Sequence, residues 1–465
     1  MLELKGKYNK DCKIFVDEVE QEAISLIQSI LDKQVSDGVP VRIMPDVHAG
    51  KGITIGFTMP MTDMLSPNYV GVDIGCGMLS AKFDGQTSMD LEKVDIAIRE
   101  NVPMGFNTHT ERIFNDIPFD QVQRIADDFT KNYNVKFGTS YVAPTYNEKW
   151  LDKKLKDIKI DPVKFWMSIG TLGGGNHFIE IGKSDVSNSY WVTVHSGSRN
   201  FGLKIADYWN NVANGKVKVA PKEYNEALDK VLQNTFPKSD IPKKIKELKE
   251  SFGLGIDKEF LQGDNLMGYL YDMIFAQQYA TWNRETMMYS IKNALKIKKF
   301  DEVINTVHNF VDFKDFVIRK GAVASYKGEK LIIPFNMRDG ILICEGKSNA
   351  DWNNSAPHGA GRLMSRSKAK ESVDLKDFQK TMKDVYSTSV CKSTLDEAPF
   401  AYKSSEMIEK AIEPTATILE KIKPILNIKD KSEGMSWKER KAKKKKDQDR
   451  KKERRDKSYK NMKRM

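Results

Sequence analysis

Gly71-Val72-Asp73-Ile74-Gly75-Cys76-Gly77-Met78 sets a carboxylate and a thiol three residues apart, with a glycine on each side of the thiol. A free cysteine in such a turn is ordinarily a small buried hydrophobe. The other reading, two ligands to one metal, gains weight from the histidines. The chain has six, and four of them (His177, His195, His308 and His358) follow strand-like runs or sit among glycines. With Asp73 and Cys76 they form a mixed oxygen, sulfur and nitrogen donor set. Such a set suits a borderline divalent ion such as Mn²⁺, Zn²⁺ or Fe²⁺, and a bridging thiolate allows two of them. Donor type alone does not choose among these ions. His358 stands apart from the other three. Gly359 and Gly361 leave room beside it and Arg362 can balance phosphate charge, a setting suited to a histidine nucleophile attacking phosphorus.

Outward from the octet, residues 79–84 alternate as a strand with Ser80, Lys82 and Asp84 on a polar face. Lys82-Phe83-Asp84-Gly85 matches the Lys-x-Asp-Gly signature of ATP-dependent ligases, but three fixed positions are few, and the alternation makes Lys82 a polar-face residue. No GxxxxGK[ST] phosphate loop occurs. Upstream, the pattern predicts a strand at 13–16, an amphipathic helix at 23–31, a strand at 41–44 and a polar loop at 45–52. In that loop His48 either orders the backbone or meets a phosphate. Residues 88–160 read as mostly helical and charged, with His109 an ordinary surface histidine. Gly173-Gly174-Gly175 permits close backbone approach to a ligand. It leads into a strand at 178–181, which puts Asn176, Phe178 and Glu180 on one face and His177 at the strand mouth. A strand at 190–194 ends in the polar turn His195-Ser196-Gly197-Ser198-Arg199-Asn200, whose arginine suits phosphate. The longest helical region is 203–297. Leu266, Leu270, Met273, Ile274 and Ala280 recur there at core spacing, and Lys243, Lys244, Lys246 and Lys249 decorate a polar face. A strand at 303–307 runs into His308-Asn309, and a polar turn after Pro334 joins two apolar segments.

The net charge of +11 is confined to one end. Of 75 Lys and Arg and 64 Asp and Glu, 17 and 6 lie in 431–465, which leaves 58 of each sign in 1–430. Runs such as Lys443-Lys444-Lys445-Lys446 are suited to nucleic-acid phosphates without base specificity. Four scattered cysteines with no CxxC pair, no signal-like N-terminus and no membrane-length apolar run predict a soluble cytoplasmic protein. Length alone suggests about two or three domains.

Several stretches occur together in one order. They are Pro45-Asp46-Val47-His48-x-Gly50-Lys51-Gly52, the octet, Gly173 to Glu180, His195-Ser196-Gly197-Ser198-Arg199, His308-Asn309, Ser355-Ala356-Pro357-His358-Gly359-Ala360-Gly361-Arg362, and Asp396-Glu397-Ala398-Pro399. Through them the chain resembles the RNA-splicing ligase RtcB family over most of 1–430. The resemblance implies an α+β fold in place of several domains: one large catalytic domain, 1–430, with a β-rich core and surrounding helices, then a basic C-terminal extension, 431–465. It implies that Asp73, Cys76, His177, His195 and His308 hold two Mn²⁺ ions, with Cys76 bridging. His358 resembles the histidine that attacks the α-phosphate of GTP to form a covalent histidine–GMP adduct. Asn176, His177, Phe178, Ile179, Glu180, His308, Asn309, Pro334, Phe335, Asn336, Met337, His358, Gly359, Ala360 and Gly361 resemble the nucleotide-binding segments, and Lys429 the guanine-contacting lysine.

The implied partner is RNA, of tRNA or rRNA type, with a 3′-phosphate or 2′,3′-cyclic phosphate on one end and a 5′-hydroxyl on the other. No membrane is implied, and an accessory activating protein is allowed. The chain departs from the family pattern at Pro334-Phe335-Asn336-Met337-Arg338, where Pro-Gly-Ser-Met-Gly is usual, at Asn200-Phe201-Gly202 for Gly-Leu-Gly, and at Asp430 for glycine. These departures mark a divergent subgroup, in tRNA splicing or RNA repair. Two other classes use parts of the same residues: a di-metal phosphoesterase, which has no need of a His358 nucleophile, and a non-catalytic RNA-binding protein that relies on the basic extension.

Overall fold

The strand Gly77–Phe83 shows how the sequence builds the core. Leu79, Ala81 and Phe83 face one way and pack with Ile98 of the helix Leu91–Asn101 and with Met287, Met288 and Ile291 of the helix Gly263–Ala294. Met78 faces the other way, onto Trp191, Ile304, Ile332, Ile343 and Ile422. Both faces are therefore covered. Ser80 and Lys82, expected on a polar face, lie on this inner side. Ser80 Oγ bonds Thr193 Oγ1 at 2.7 Å, and Lys82 Nζ stands 3.8 Å from Glu420. Lys82 is thus engaged inside the sheet, in keeping with its polar-face reading.

In this computed structural model, which describes residues 1–84, 89–215 and 259–431 with a few isolated positions between 216 and 258, two large sheets carry the fold. Most of the basic extension, together with Lys243, Lys246 and Lys249, lies outside the described residues. The seven-stranded sheet runs Glu302–Val307, Gly77–Phe83, Tyr190–Ser196, Phe178–Ser184, Ala416–Ile428, Ile341–Gly346, Lys330–Pro334, antiparallel throughout. Its two edge strands are tied by an ion pair between Glu302 and Lys330, so the sheet curls into a nearly closed core. The six-stranded sheet runs Leu2–Leu4, Cys12–Ile14, Val41–His48, Ile55–Pro60, Val317–Lys320, Asn309–Val311. Its parallel pair, Cys12–Ile14 with Val41–His48, is joined through the helix Gln21–Leu31, because parallel neighbours need a crossover. Between Val307 and Asn309 the chain steps from the seven-stranded sheet to the six-stranded one across a single residue, His308.

The α+β class implied by the resemblance is the observed one. Leu266, Leu270, Met273, Ile274 and Ala280 are all buried, as their spacing requires. Three local expectations are corrected. Residues 45–48 are strand, not loop, since Val41–His48 runs straight through Pro45. Its pairing with Ile55–Pro60 slips between Ile43 and His48, and a missing proline N–H is tolerated at such an irregularity. His195 and Ser196 also belong to a strand, opposite Met78 and Gly77. His109 is half-buried, with Nε2 2.9 Å from the Gly170 carbonyl oxygen. Among the described residues no helix is long and apolar enough to cross a membrane.

Candidate metal and nucleotide site

Strand ends bring the donors together. Cys76 immediately precedes Gly77–Phe83, His177 precedes Phe178–Ser184, His195 is paired with both Met78 and Phe178, and His308 leaves Glu302–Val307. Cys76 Sγ lies 3.3 Å from His195 Nε2 and 3.5 Å from His177 Nε2. Asp73 Oδ2 is 2.9 Å from His177 Nε2, and the Nε2 atoms of His195 and His308 are 3.3 Å apart. The sulfur therefore stands between an Asp73–His177 pair and a His195–His308 pair.

The donor chemistry fits metal. His177 Nδ1 donates to the Leu172 carbonyl at 2.9 Å, the outer hydrogen bond that orients a ligating imidazole and leaves Nε2 as the donor atom. That Nε2 faces a carboxylate, so either a second proton or a cation has to lie between them. Burial, with neighbouring positive charge, pushes His195 and His308 well below the usual imidazole range, which keeps them neutral. Burial, and then the charge of Asp73, pushes the Cys76 thiol well up. A bound cation would displace the thiol proton and hold Cys76 as a thiolate, since metal binding releases protons from its ligands. Cys76, His177 and His195 alone already form a buried metal-capable group.

Asp73 is held by the Ser198 amide, 3.1 Å from Oδ1, and by a space that only glycine leaves open. A Cβ at Gly197 would stand 2.1 Å from Asp73 Oδ1. Gly197→Ala should displace that carboxylate and weaken metal binding by roughly 10- to 100-fold, the usual scale for a disturbed outer contact. Metal titration of the folded variant checks this.

A cavity of about 250 Å³ opens beside the donors. Asn176, Phe178 and Glu180 line it, on the shared strand face that alternation predicts, and Asn309, Pro334, Asn336, Met337, His358 to Gly361 and Lys429 line it too. Ile179 and Phe335, expected among the nucleotide-binding residues, do not line it: their side chains pack into hydrophobic clusters instead. The His358 ring lies 4.9 Å from that of His308. Its Nδ1 is 2.6 Å from Oδ2 of Asp46, a fully buried carboxylate. Gly361 packs directly on the Asp46 backbone, where a Cβ would meet the carbonyl oxygen at 2.3 Å. His48, its Nδ1 2.9 Å from the Asp46 carbonyl oxygen, both orders this strand end and lines the cavity, and burial pushes it down to about 4.

A family model described as tRNA-splicing ligase RtcB matches residues 36–430. The chain belongs to the RtcB family. It is similar to the RNA-splicing ligase RtcB of Escherichia coli strain K12, at 30% identity over 84% of this chain and 90% of that one. It is also similar to the tRNA-splicing ligase RtcB of Nanoarchaeum equitans, at 24% identity over 91% and 96% of the two chains.

Within this RtcB-family site several residues do work that their sequence context did not announce. Asn283 and Arg284 sit in the long helix, where spacing suggested only packing. Asn283 Nδ2 donates to Gly197 O and Ser196 Oγ, while its Oδ1 accepts from the Gly170 and Thr171 amides. Arg284 Nη1 bridges the carbonyls of Gly75 and Ser196 at 2.8 and 3.0 Å, so the helix braces the backbone beside Cys76 and His195. Arg199 and Arg362, read as phosphate partners, are already engaged. Arg199 packs beside His177 and donates to Thr171 Oγ1 at 3.3 Å, and Arg362 donates to the carbonyls of Met364 and Asp396.

Lys429 donates to Glu397 Oε2 at 2.8 Å and to Asn176 O at 3.1 Å, within the cavity wall. Burial alone would raise Glu397, but Lys429 and Arg366 together hold it down at about 2. A carboxyl depressed in this way adds stability that is complete above its ordinary value of about 4.5 and is lost as pH falls toward about 2. The scale is about 3 kcal/mol. Denaturant midpoints between pH 5 and 2 should show this decline, and Glu397→Gln should flatten it while lowering stability throughout, since Lys429 would be left buried without its partner.

Proposed function

We propose that this RtcB-family RNA ligase joins an RNA 3′-phosphate, derived from a 2′,3′-cyclic phosphate, to an RNA 5′-hydroxyl, using GTP and two Mn²⁺ ions through a histidine–GMP adduct. The observation that carries the reading is the His358–Asp46 pair at the cavity wall. Asp46 accepts the Nδ1 proton at 2.6 Å and thereby leaves the Nε2 lone pair free, an orientation a nucleophile needs and a phosphoesterase built on metal-bound water does not. In the first step Nε2 forms an N–P bond to the α-phosphorus and the bond to the β-phosphate breaks, so that pyrophosphate leaves with the electron pair. The imidazole keeps its Nδ1 proton against Asp46 throughout. The RNA 3′-phosphate oxygen then displaces His358 from phosphorus, and the 5′-hydroxyl oxygen, giving up its proton to solvent, finally bonds to the RNA 3′-phosphorus as GMP leaves with the electron pair of the broken P–O bond.

Asp73 and His177, with His195 and His308 across Cys76, would hold the ions, which when bound polarise phosphate oxygens and offset the charge that gathers there. The guanine preference is supported by Glu180. Its Oε2 accepts from Asn427 Nδ2 at 2.8 Å while Oε1 is buried without a hydrogen bond, and burial pushes the group up to about 8. The N–H donors of a guanine edge would satisfy that oxygen and favour the ionised carboxylate against the push of burial, and the adjacent Lys429 ammonium has a third proton for the guanine carbonyl.

An RNA pair with 3′-phosphate and 5′-hydroxyl ends tests the reading. Joined product that depends on GTP and Mn²⁺ supports it, and removal of the end phosphate without joining favours the esterase. We assign the basic extension, 431–465, an electrostatic role in RNA capture. Its deletion should weaken RNA binding and reduce the slope of affinity against salt, with GMP uptake unchanged.

A further inference from the structure

Lys403 is a buried cation with no place in the chemistry above. Only 9% of it is exposed, and its ammonium donates to two backbone carbonyls, Pro45 O at 3.0 Å and Val47 O at 2.8 Å. Those carbonyls flank Asp46. They lie in the stretch where Val41–His48 loses register with its neighbour, so the lysine supplies donors where regular pairing is interrupted. The Lys403 backbone N–H donates to Gly361 O at 3.1 Å, in the segment that carries His358. One residue therefore grips both halves of the pair: its side chain holds the strand bearing the carboxylate, and its main chain holds the loop bearing the nucleophile. The ammonium also stands near the Asp46 charge, which partly offsets the downward push of burial on the lysine. A buried cation spent on neutral carbonyls is costly unless it orders something. What it orders here is the direction of the Asp46 carboxylate, whose Oδ1 has no hydrogen bond of its own.

We propose that Lys403 is a positioning residue for GMP capture by His358, needed for the first chemical step and dispensable for the last. The proposal rests on the histidine–GMP reading above. The test compares two reactions of the full chain loaded with Mn²⁺. One is uptake of α-labelled GTP onto protein. The other is sealing of a synthetic RNA whose 3′-phosphate already carries GMP, which bypasses His358. Lys403→Met should slow labelling about 10- to 100-fold with the KM for GTP within about twofold, and should seal the pre-activated RNA at the wild-type rate. Lys403→Arg, which keeps a cation with several donors, should recover part of the labelling rate. Unchanged labelling in Lys403→Met overturns the proposal, and so does a parallel loss of both reactions that Lys403→Arg does not relieve, since that is the mark of a merely structural lysine. If the wild-type chain itself takes no label, the histidine–GMP reading fails first, and the proposal falls with it.

Discussion

A His358→Ala chain is expected to take up no GMP and to join no RNA ends, with its metal content unchanged. On the proposed histidine–GMP route, removing the nucleophile leaves no partial path, so the loss should be on the order of 10⁴-fold or more. Metal should survive because His358 is not among the converging donors. Its ring neighbours that of His308, but its Nδ1 is given to Asp46. Asp46→Asn refines the point. The amide has nearly the shape of the carboxylate but no charge, so even with its oxygen accepting the Nδ1 proton it no longer offsets the positive charge that the imidazole gains on forming the N–P bond. The expected loss of labelling rate is roughly 10²- to 10⁴-fold, the contribution of a well-placed proton partner. Sealing of RNA that already carries GMP should remain in both variants, because neither residue is needed once phosphorus has left the histidine.

Cys76→Ala should lose bound metal and activity together. The sulfur lies within 3.5 Å of the Nε2 atoms of both His177 and His195, between the two donor pairs, so in the proposed bridging role its removal would take a ligand from each ion at once. The fall in metal affinity should exceed the roughly 100-fold that loss of an outer partner costs, and stoichiometry measured on the purified variant should drop below that of the wild type. A cysteine that merely filled a turn would behave otherwise. Its truncation would cost modest stability and leave metal content alone.

The convergence of these side chains was legible because each carries its own context. Asp73 and Cys76 share one glycine-rich octet, and His177, His195 and His308 each mark the end of an apolar run, where a scaffold can present a side chain. The alternation that put Asn176, Phe178 and Glu180 on one face also placed Ile179 on the other, where the structure buries it among Leu79 and Val194. What stayed hidden depends on partners remote in sequence. Asp46 means little without His358, 312 residues later, and proline at 45 argued against the strand that holds it. In the stretch 45–48 two carbonyls find a donor in Lys403, from the far end of the chain. Glu397 is visible in a motif but acquires its depressed proton affinity only from Lys429 and the nearby arginines. Asn283 and Arg284 were masked by the helix around them, which is buried on most of its circumference, so spacing along it does not separate packing residues from polar braces.

The most direct test of the central claim is intact-mass spectrometry of the full chain after incubation with GTP and Mn²⁺, followed by peptide mapping under conditions that preserve phosphoramidates. The expected result is a mass gain of one GMP, located on His358 and absent from His358→Ala. No gain in metal-loaded wild-type protein, or a gain that persists in His358→Ala, would contradict it.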